Sequence, residues 1–168
     1  IFTTEQTQGL LAESLEIELP EVEHAVSVVP PAWFEGDKGI ISTDETYLKA
    51  SPKFIGDSYF NVFSCEILAG STEALFKEKH ALAISASLAQ RLFGRTDKLV
   101  GELITWDYWK YSGTYEIAAV FLPPPSNATD QFELLFDYDL FLQARPWTRG
   151  WGNSDPHTYM ILAKGPDL

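Results

Sequence analysis

The chain has 168 residues, 45% of them hydrophobic and 14% aromatic, with a formal net charge of −12. That apolar content excludes a disordered segment, and the charge excludes a nucleic-acid binder, whose phosphate ligand it would repel. No run of apolar residues is long enough to cross a bilayer, and the charge disfavours tight contact with an anionic membrane surface. The length suits one ordinary domain or two small lobes sharing a core. No charged n-region with an apolar h-region opens the chain, and the start at Ile1-Phe2 without Met reads as an excised piece of a longer chain. The single Cys65 excludes an internal disulfide and a multi-Cys zinc site. Its apolar neighbours make it a small core residue rather than a nucleophile.

Taken in chain order, Thr4 to Leu19 reads as a helix. Thr3 or Thr4 serves as the cap, Leu10, Leu11, Leu15 and Leu19 form the apolar face, and Pro20 ends it. Val22 to Val29 alternates as a strand and stops at Pro30-Pro31. Residues 33 to 37 read as a loop with a hairpin-like turn. Lys38 to Thr43 and Thr46 to Ser51 read as strands joined at Asp44-Glu45, and Pro52 to Ile55 leads on toward an aromatic helical turn, Asp57 to Phe63.

A short strand ends at Ala69-Gly70, a polar stretch follows, and Ala81 to Ile84 forms the next strand. Ser85 is an N-cap, and the helix Ala86 to Phe93 carries Leu88, Leu92 and Phe93 on one face. Leu92 and Phe93 are expected to be buried against the strand, with Gly94 as the left-handed stop. A turn at Asp97-Lys98 leads through Gly101 to the strand Glu102 to Trp106, and Tyr108 to Gly113 is an aromatic turn. Tyr115 to Leu122 is the strongest strand signal, with Tyr115, Ile117, Ala119 and Phe121 expected on one side. Pro123-Pro124-Pro125 ends it as a polyproline segment. A loop at Ser126 to Asp130, a strand at Phe132 to Phe136, helical turns at Asp139 to Ala144 and a loop at Arg145 to Pro156 follow. The last strand, Thr158 to Ala163, is apolar on both faces and is therefore expected inside the sheet. The whole reads as α+β, short mixed β-sheets with a few helices against one side.

Few residues promise chemistry. His24, His80 and His157 form no pair at metal-ligand spacing, so no metal and no cofactor is expected. Asp130, Asp137 and Asp139 fall near Trp147 and Trp151, a composition seen in sugar sites, but Asp137 and Asp139 also flank a helix start, where carboxylates favour the dipole. Ser85 and Ser87 sit at a strand-to-helix junction without the glycines of a nucleophile elbow. Gly94 and Gly101 are not followed by Gly-Lys-Ser/Thr, so there is no phosphate loop and an ATPase would have to lie elsewhere. Catalytic residues are therefore expected to be absent. The loop aromatics Trp33, Phe34, Trp106, Tyr108, Trp109, Tyr111, Trp147 and Trp151 have two open readings: an exposed binding surface, or a cover over the end of a small sheet.

The stretch from Gly56 to Asp107 carries a resemblance. Its marks are Asp57, Tyr59, Phe60, Val62 and Phe63, then Leu68-Ala69-Gly70, then Ser85, Ser87 to Ala89 and Arg91 to Gly94, then Gly101 and Ile104. Together they resemble the periplasmic core domain of MacB-like and FtsX-like ABC transporter permeases. The likeness extends from Pro20-Glu21-Val22-Glu23 to Val120-Phe121 and more weakly beyond. One departure is Lys98-Leu99-Val100-Gly101-Glu102, where the family usually has Pro-Ile/Val-Gly-Lys. The resemblance implies a porter-like lobe built from residues 1–50 with 111–168, a smaller lobe of 51–110 inserted into it, and a further helix and returning strand after Gly165-Pro166-Asp167. It implies a non-catalytic domain on the periplasmic or extracellular side of a bacterial inner membrane. That domain would relay conformational change from a cytoplasmic ABC ATPase to exported cargo or a periplasmic partner protein, within a homodimer of the full-length permease. Trp33, Phe34, Trp147 and Trp151 are the expected partner contacts. A glycan or small-molecule binding module and, behind it, a hydrolase are the rival functions.

Overall fold

The structure, a computed structural model, describes residues 5–34, 38–44 and 46–164. Helix α1 (Leu11–Glu18) begins later than its leucine pattern suggests, because the residues before it are engaged elsewhere. The Thr7 N–H donates to the Pro156 carbonyl at 2.7 Å. A Cβ on Gly9 would lie 2.0 Å from the Thr148 carbonyl oxygen, so glycine is what lets the two segments touch. The proposed caps Thr3 and Thr4 lie outside the described residues. Glu16 accepts the Ala25 N–H at 2.6 Å and so ties α1 to β1 (Val22–Val29).

A 3-10 helix, Pro31–Phe34, stands where a loop was expected; the rest of that loop, like Glu45, is outside the described residues. β2 (Gly39–Ser42) and β3 (Tyr47–Ala50) form the expected antiparallel pair. β4 (Pro52–Ile55) is a fully buried strand whose signal is hidden by a proline and a lysine. Proline is tolerated at a strand's first residue. Then come α2 (Tyr59–Val62), β5 (Ile67–Gly70) and α3 (Thr72–Lys77). Helix α3 fills the stretch read only as polar, and Ser71 caps it by accepting the Glu73 N–H.

β6 (Ala81–Ser85) runs into α4 (Ala86–Phe93). The Ser85 hydroxyl accepts the Leu88 N–H at 3.2 Å, and Gly94 closes the helix at φ 68°. Leu88 and Leu92 are buried, whereas Phe93 is only partly covered, packed at the margin of the core. The turn that departs from the family pattern holds two left-handed residues, Lys98 at φ 52° and Gly101 at φ 90°. The remaining elements are β7 (Leu103–Asp107), β8 (Gly113–Phe121), β9 (Leu134–Asp137), α5 (Tyr138–Ala144) and β10 (His157–Leu162).

All ten strands join one mixed sheet in the order β10-β1-β4-β9-β6-β8-β7-β2-β3, with β5 beside β8. The pairs β4–β9 and β6–β8 are parallel and the others antiparallel. Strands of 51–110 pair with both flanking stretches: β4 with β1 and β9, β6 with β8 and β9, β7 with β2 and β8. A division at residues 50/51 and 110/111 is thus a division of one continuous sheet. β10 is not interior: it ends the sheet and pairs with β1 alone among the described strands. Only part of its apolar surface finds a neighbour; Tyr159 packs edge-on to Phe63, while Met160 and Leu162 stay exposed.

The centre of the sheet is buried on both faces, so its central strands read as continuous apolar runs. Alternation sorts them: Phe54, Leu82, Ile84, Leu134 and Phe136 face a core roofed by α4 and α5. Ile55, Ala81, Ala83 and Leu135 face a second core under α2 and α3. Helices therefore cover both faces, not one. β8 changes phase midway. Leu82 pairs with Ile117 but Ala83 with Ala119, leaving Ala118 as an extra residue. Tyr115 and Ile117 therefore face the first core while Ala119 and Phe121 face the second, not one common side. The Ala118 carbonyl accepts the Ser71 N–H at 3.1 Å. A Cβ on Gly70, whose φ is 85°, would lie 2.1 Å from that oxygen. The bulge marks the point where β8 exchanges β7 for β5 as its neighbour.

Candidate functional site

Helix α5 starts at Asp137, whose carboxylate accepts the Asp139 N–H at 2.9 Å. It ends at Arg145, where the chain turns into a 3-10 helix, Pro146–Arg149. The following loop folds around a buried carboxylate. Asp155 accepts from the Arg145 guanidinium at 3.0 Å and from the Thr148 hydroxyl. A guanidinium held this way is planar and oriented, which suits stacking on rings.

Three rings meet it. The Arg145 guanidinium carbon lies 4.7 Å from the Trp33 centroid, 5.1 Å from Trp147 and 5.9 Å from Phe141. Trp33 packs edge-on to Phe141 at 5.2 Å. The Lys110 ammonium continues the series, 5.1 Å from Trp109 and 5.8 Å from Trp147. The result is a row, Trp33, Arg145, Trp147, Lys110, Trp109, in which rings and cations alternate. Trp109 is 56% exposed and Trp147 48%, while Trp33 is half-buried. Trp109 holds a left-handed φ of 47°, which is strained for a bulky side chain. Ser112 braces that turn: its hydroxyl oxygen accepts the Tyr108 N–H at 2.9 Å and lies 2.8 Å from an Asp107 carboxylate oxygen.

The expected contact residues thus divide. Trp33 and Trp147, far apart in sequence, are brought together by Arg145. Phe34 is buried in the first core against Phe54, Tyr108 and Tyr111, because successive residues of a tight helix point to different sides. Trp151 is 55% exposed on the same loop as Trp147 but shares none of the ring contacts of the row among the described residues. Trp106 and Tyr111 are fully buried and do cover the sheet. Trp109, one of the loop aromatics read from the sequence but not one of the four expected contacts, completes the row with Lys110, which the sequence does not single out.

The acidic candidates are dispersed into separate structural tasks. Asp130 accepts from Lys53 at 3.1 Å, Asp137 caps α5, and Asp139 accepts from Arg149 at 3.0 Å. Burial pushes the Asp137 carboxyl up to about 6; the charges of Asp139 and Asp57 add to this, against the hydrogen bond from the Asp139 backbone. Ser85 caps α4 and contacts Ser87 at 3.2 Å. Among the described residues no group of three or more His, Cys, Asp or Glu converges to hold a metal ion. No helix among them is long and apolar enough to cross a membrane.

Three solved structures share the fold. A domain of a protein described as a permease, from Porphyromonas gingivalis, superposes with a TM-score of 0.79 at 20% identity, over 98% of this chain and 66% of its own. The periplasmic region of MacB from Actinobacillus actinomycetemcomitans gives 0.68 at 12% identity, over 96% and 68%. The extracellular domain of the ABC-type transporter YknZ from Gram-positive bacteria gives 0.66 at 14% identity, over 96% and 76%. This chain therefore spans about two thirds of the length of the first of these. No curated protein sequence matches it. The profile of one family, described as MacB-like periplasmic core domain, matches residues 2–167, and the chain belongs to that family.

Proposed function

We propose that the chain is a transmission element of an ABC transporter permease, outside the inner membrane, working without catalysis. It carries movement driven by a cytoplasmic ATPase to a periplasmic partner or cargo, within a homodimer of the full-length protein. Family membership supports the setting. The observation that carries the contact surface is the row Trp33, Arg145, Trp147, Lys110, Trp109, exposed at Trp147 and Trp109. Tryptophan and arginine dominate interface energetics, and a braced, oriented set loses little entropy on docking. The lobes expected at 1–50 with 111–168 and at 51–110 belong to this proposal; because they share one sheet, movement between them would bend it rather than slide two bodies.

The test is made in the intact transporter. Trp109→Ala with Trp147→Ala should reduce export strongly while ATP hydrolysis and membrane assembly persist. Unchanged export would remove the row from the contact surface. Stacked tryptophans also suit sugars, so a glycan array probed with the isolated chain separates the binding-module alternative: a specific glycan lost in the same variant would replace the relay reading.

A further inference from the structure

On the other face of the sheet lies a cleft of about 1050 Å³ between α2, the segment after β8 and the end strand β10. At its base is Lys53, on β4, with its residue only 4% exposed. Alternation along β4 sends Phe54 to the first core and turns Lys53 to the opposite face, so the lysine is built into the sheet. Its ammonium lies 4.6 Å from the Phe132 centroid, 5.4 Å from Tyr59 and 5.6 Å from Phe63. Among the described residues it has one hydrogen-bond partner, Asp130 at 3.1 Å. An ammonium has three donors, and Asp130 is its one oxygen partner among the described residues. Buried charged donors left without acceptors are costly, and an incoming oxygen would relieve that cost.

The surrounding charges choose the kind of oxygen. Besides Asp130, the carboxylates of Glu5 and Glu66 line the cleft. An anionic head would meet three carboxylates, and a cationic head would meet the ammonium at the base. A neutral carbonyl avoids both penalties and still accepts a charge-assisted hydrogen bond. The walls, including Phe60, Phe63 and Pro124, are apolar and aromatic, and the volume matches small-molecule sites. We propose that this cleft binds a neutral amphiphile, an apolar chain ending in an ester carbonyl that accepts from the Lys53 ammonium. This is independent of the aromatic row and of the relay reading.

The experiment compares three ligands of one chain length on the 168-residue chain: octanoylglycerol, octanoate and octylammonium. Binding is followed by calorimetry and by amide and Lys53 ammonium resonances. Octanoylglycerol should bind saturably, shift Lys53 and the amides of Phe60 and Cys65, and bind about tenfold more tightly than either charged ligand. Lys53→Met should remove that preference. Ala128→Trp, in the loop at the cleft mouth, should block all three ligands without touching Lys53, and it carries the test if the methionine variant fails to fold. Equal or tighter binding of octanoate or octylammonium would overturn the proposal. So would absence of binding, an unmoved Lys53 resonance, or binding that survives Ala128→Trp.

Discussion

Two cations in this molecule are each ringed by three aromatic side chains and each paired with an aspartate, yet they differ in almost every consequence. Lys53 is enclosed, has one hydrogen-bond partner among the described residues and sits among Tyr59, Phe63 and Phe132. Burial lowers its pKa, and the Asp130 charge only partly opposes this. Arg145 is half-buried, with a buried Nε that finds no acceptor among the described residues; it spreads its charge over Trp33, Phe141 and Trp147 and anchors to Asp155, which is itself held by Thr148. A compact ammonium is strongly hydrated and suffers when dried; a guanidinium is weakly hydrated and tolerates stacking. The same ring count therefore yields a costly charge in one place and a rigid platform in the other.

The comparison is broken most severely at Asp130. Asp130→Ala leaves Lys53 buried without its partner and should cost about 3 kcal/mol, the low end for a broken buried pair because Asp130 is partly exposed. Urea unfolding measures it, and its pH dependence carries the sign. The folded pKa of Lys53 lies below its unfolded value, so the unfolded chain binds more protons between the two. The variant should therefore gain stability as pH rises through the folded pKa toward 10.5. Loss of stability over that range would show that the lysine is not desolvated.

Arg145→Lys tests the other side. A lysine cannot reproduce the planar fork, and about 1–2 kcal/mol of stability should go, read as a lower thermal midpoint. An unchanged midpoint would mean that the stacking contributes nothing to the fold.

Asp137 shows that the cost of drying a charge applies to anions too. Its folded pKa, about 6, lies above the ordinary 3.8, so its relative contribution to stability is full below 3.8 and is lost as pH rises through 6. Asp137→Asn keeps an N-cap and should gain about 1 kcal/mol above neutrality, after discounting for solvent screening. The gain should vanish near pH 4, and denaturant titrations at the two pH values check it. The smallest effect is Trp147→Ala, expected within about 0.5 kcal/mol of the parent, since an exposed ring packs little. A loss of several kcal/mol would place that tryptophan in the core.

Much of the frame is legible in the sequence because its signals are local. Val22–Val29 is rich in β-branched residues and is stopped by two prolines, although its burial does not alternate; Ala86–Phe93 has a serine cap, an apolar face and a left-handed glycine. What escapes is set by distant partners. Lys53 and Asp130 are 77 residues apart, and no local rule pairs them. The same lysine hides β4, which the sequence shows only as a lead-in to the aromatic turn. Trp33 and Trp147 become neighbours only through Arg145, so the row is visible as a set of aromatics but not as a surface. Phe34 looks like its neighbour Trp33 and is core, because a tight helix separates adjacent side chains. β10 is apolar on both faces and still ends the sheet, since apolar composition does not state on which side a partner lies.

The pairing of β1 with β10 has a kinetic consequence. Val22 meets Leu162 and Val28 meets His157, so this ladder closes a loop that takes in nearly the whole described chain. Closing so long a loop yields no contacts until most of the entropy has been spent. β6 and β8 lie much closer along the chain, and their parallel ladder is flanked by β9, β7 and β5. Folding is therefore expected to proceed outward from β6 and β8, with β10 docking last. The amides of residues 157–162 should therefore exchange through partial unfolding, and protection equal to that of β6 and β8 would contradict this order.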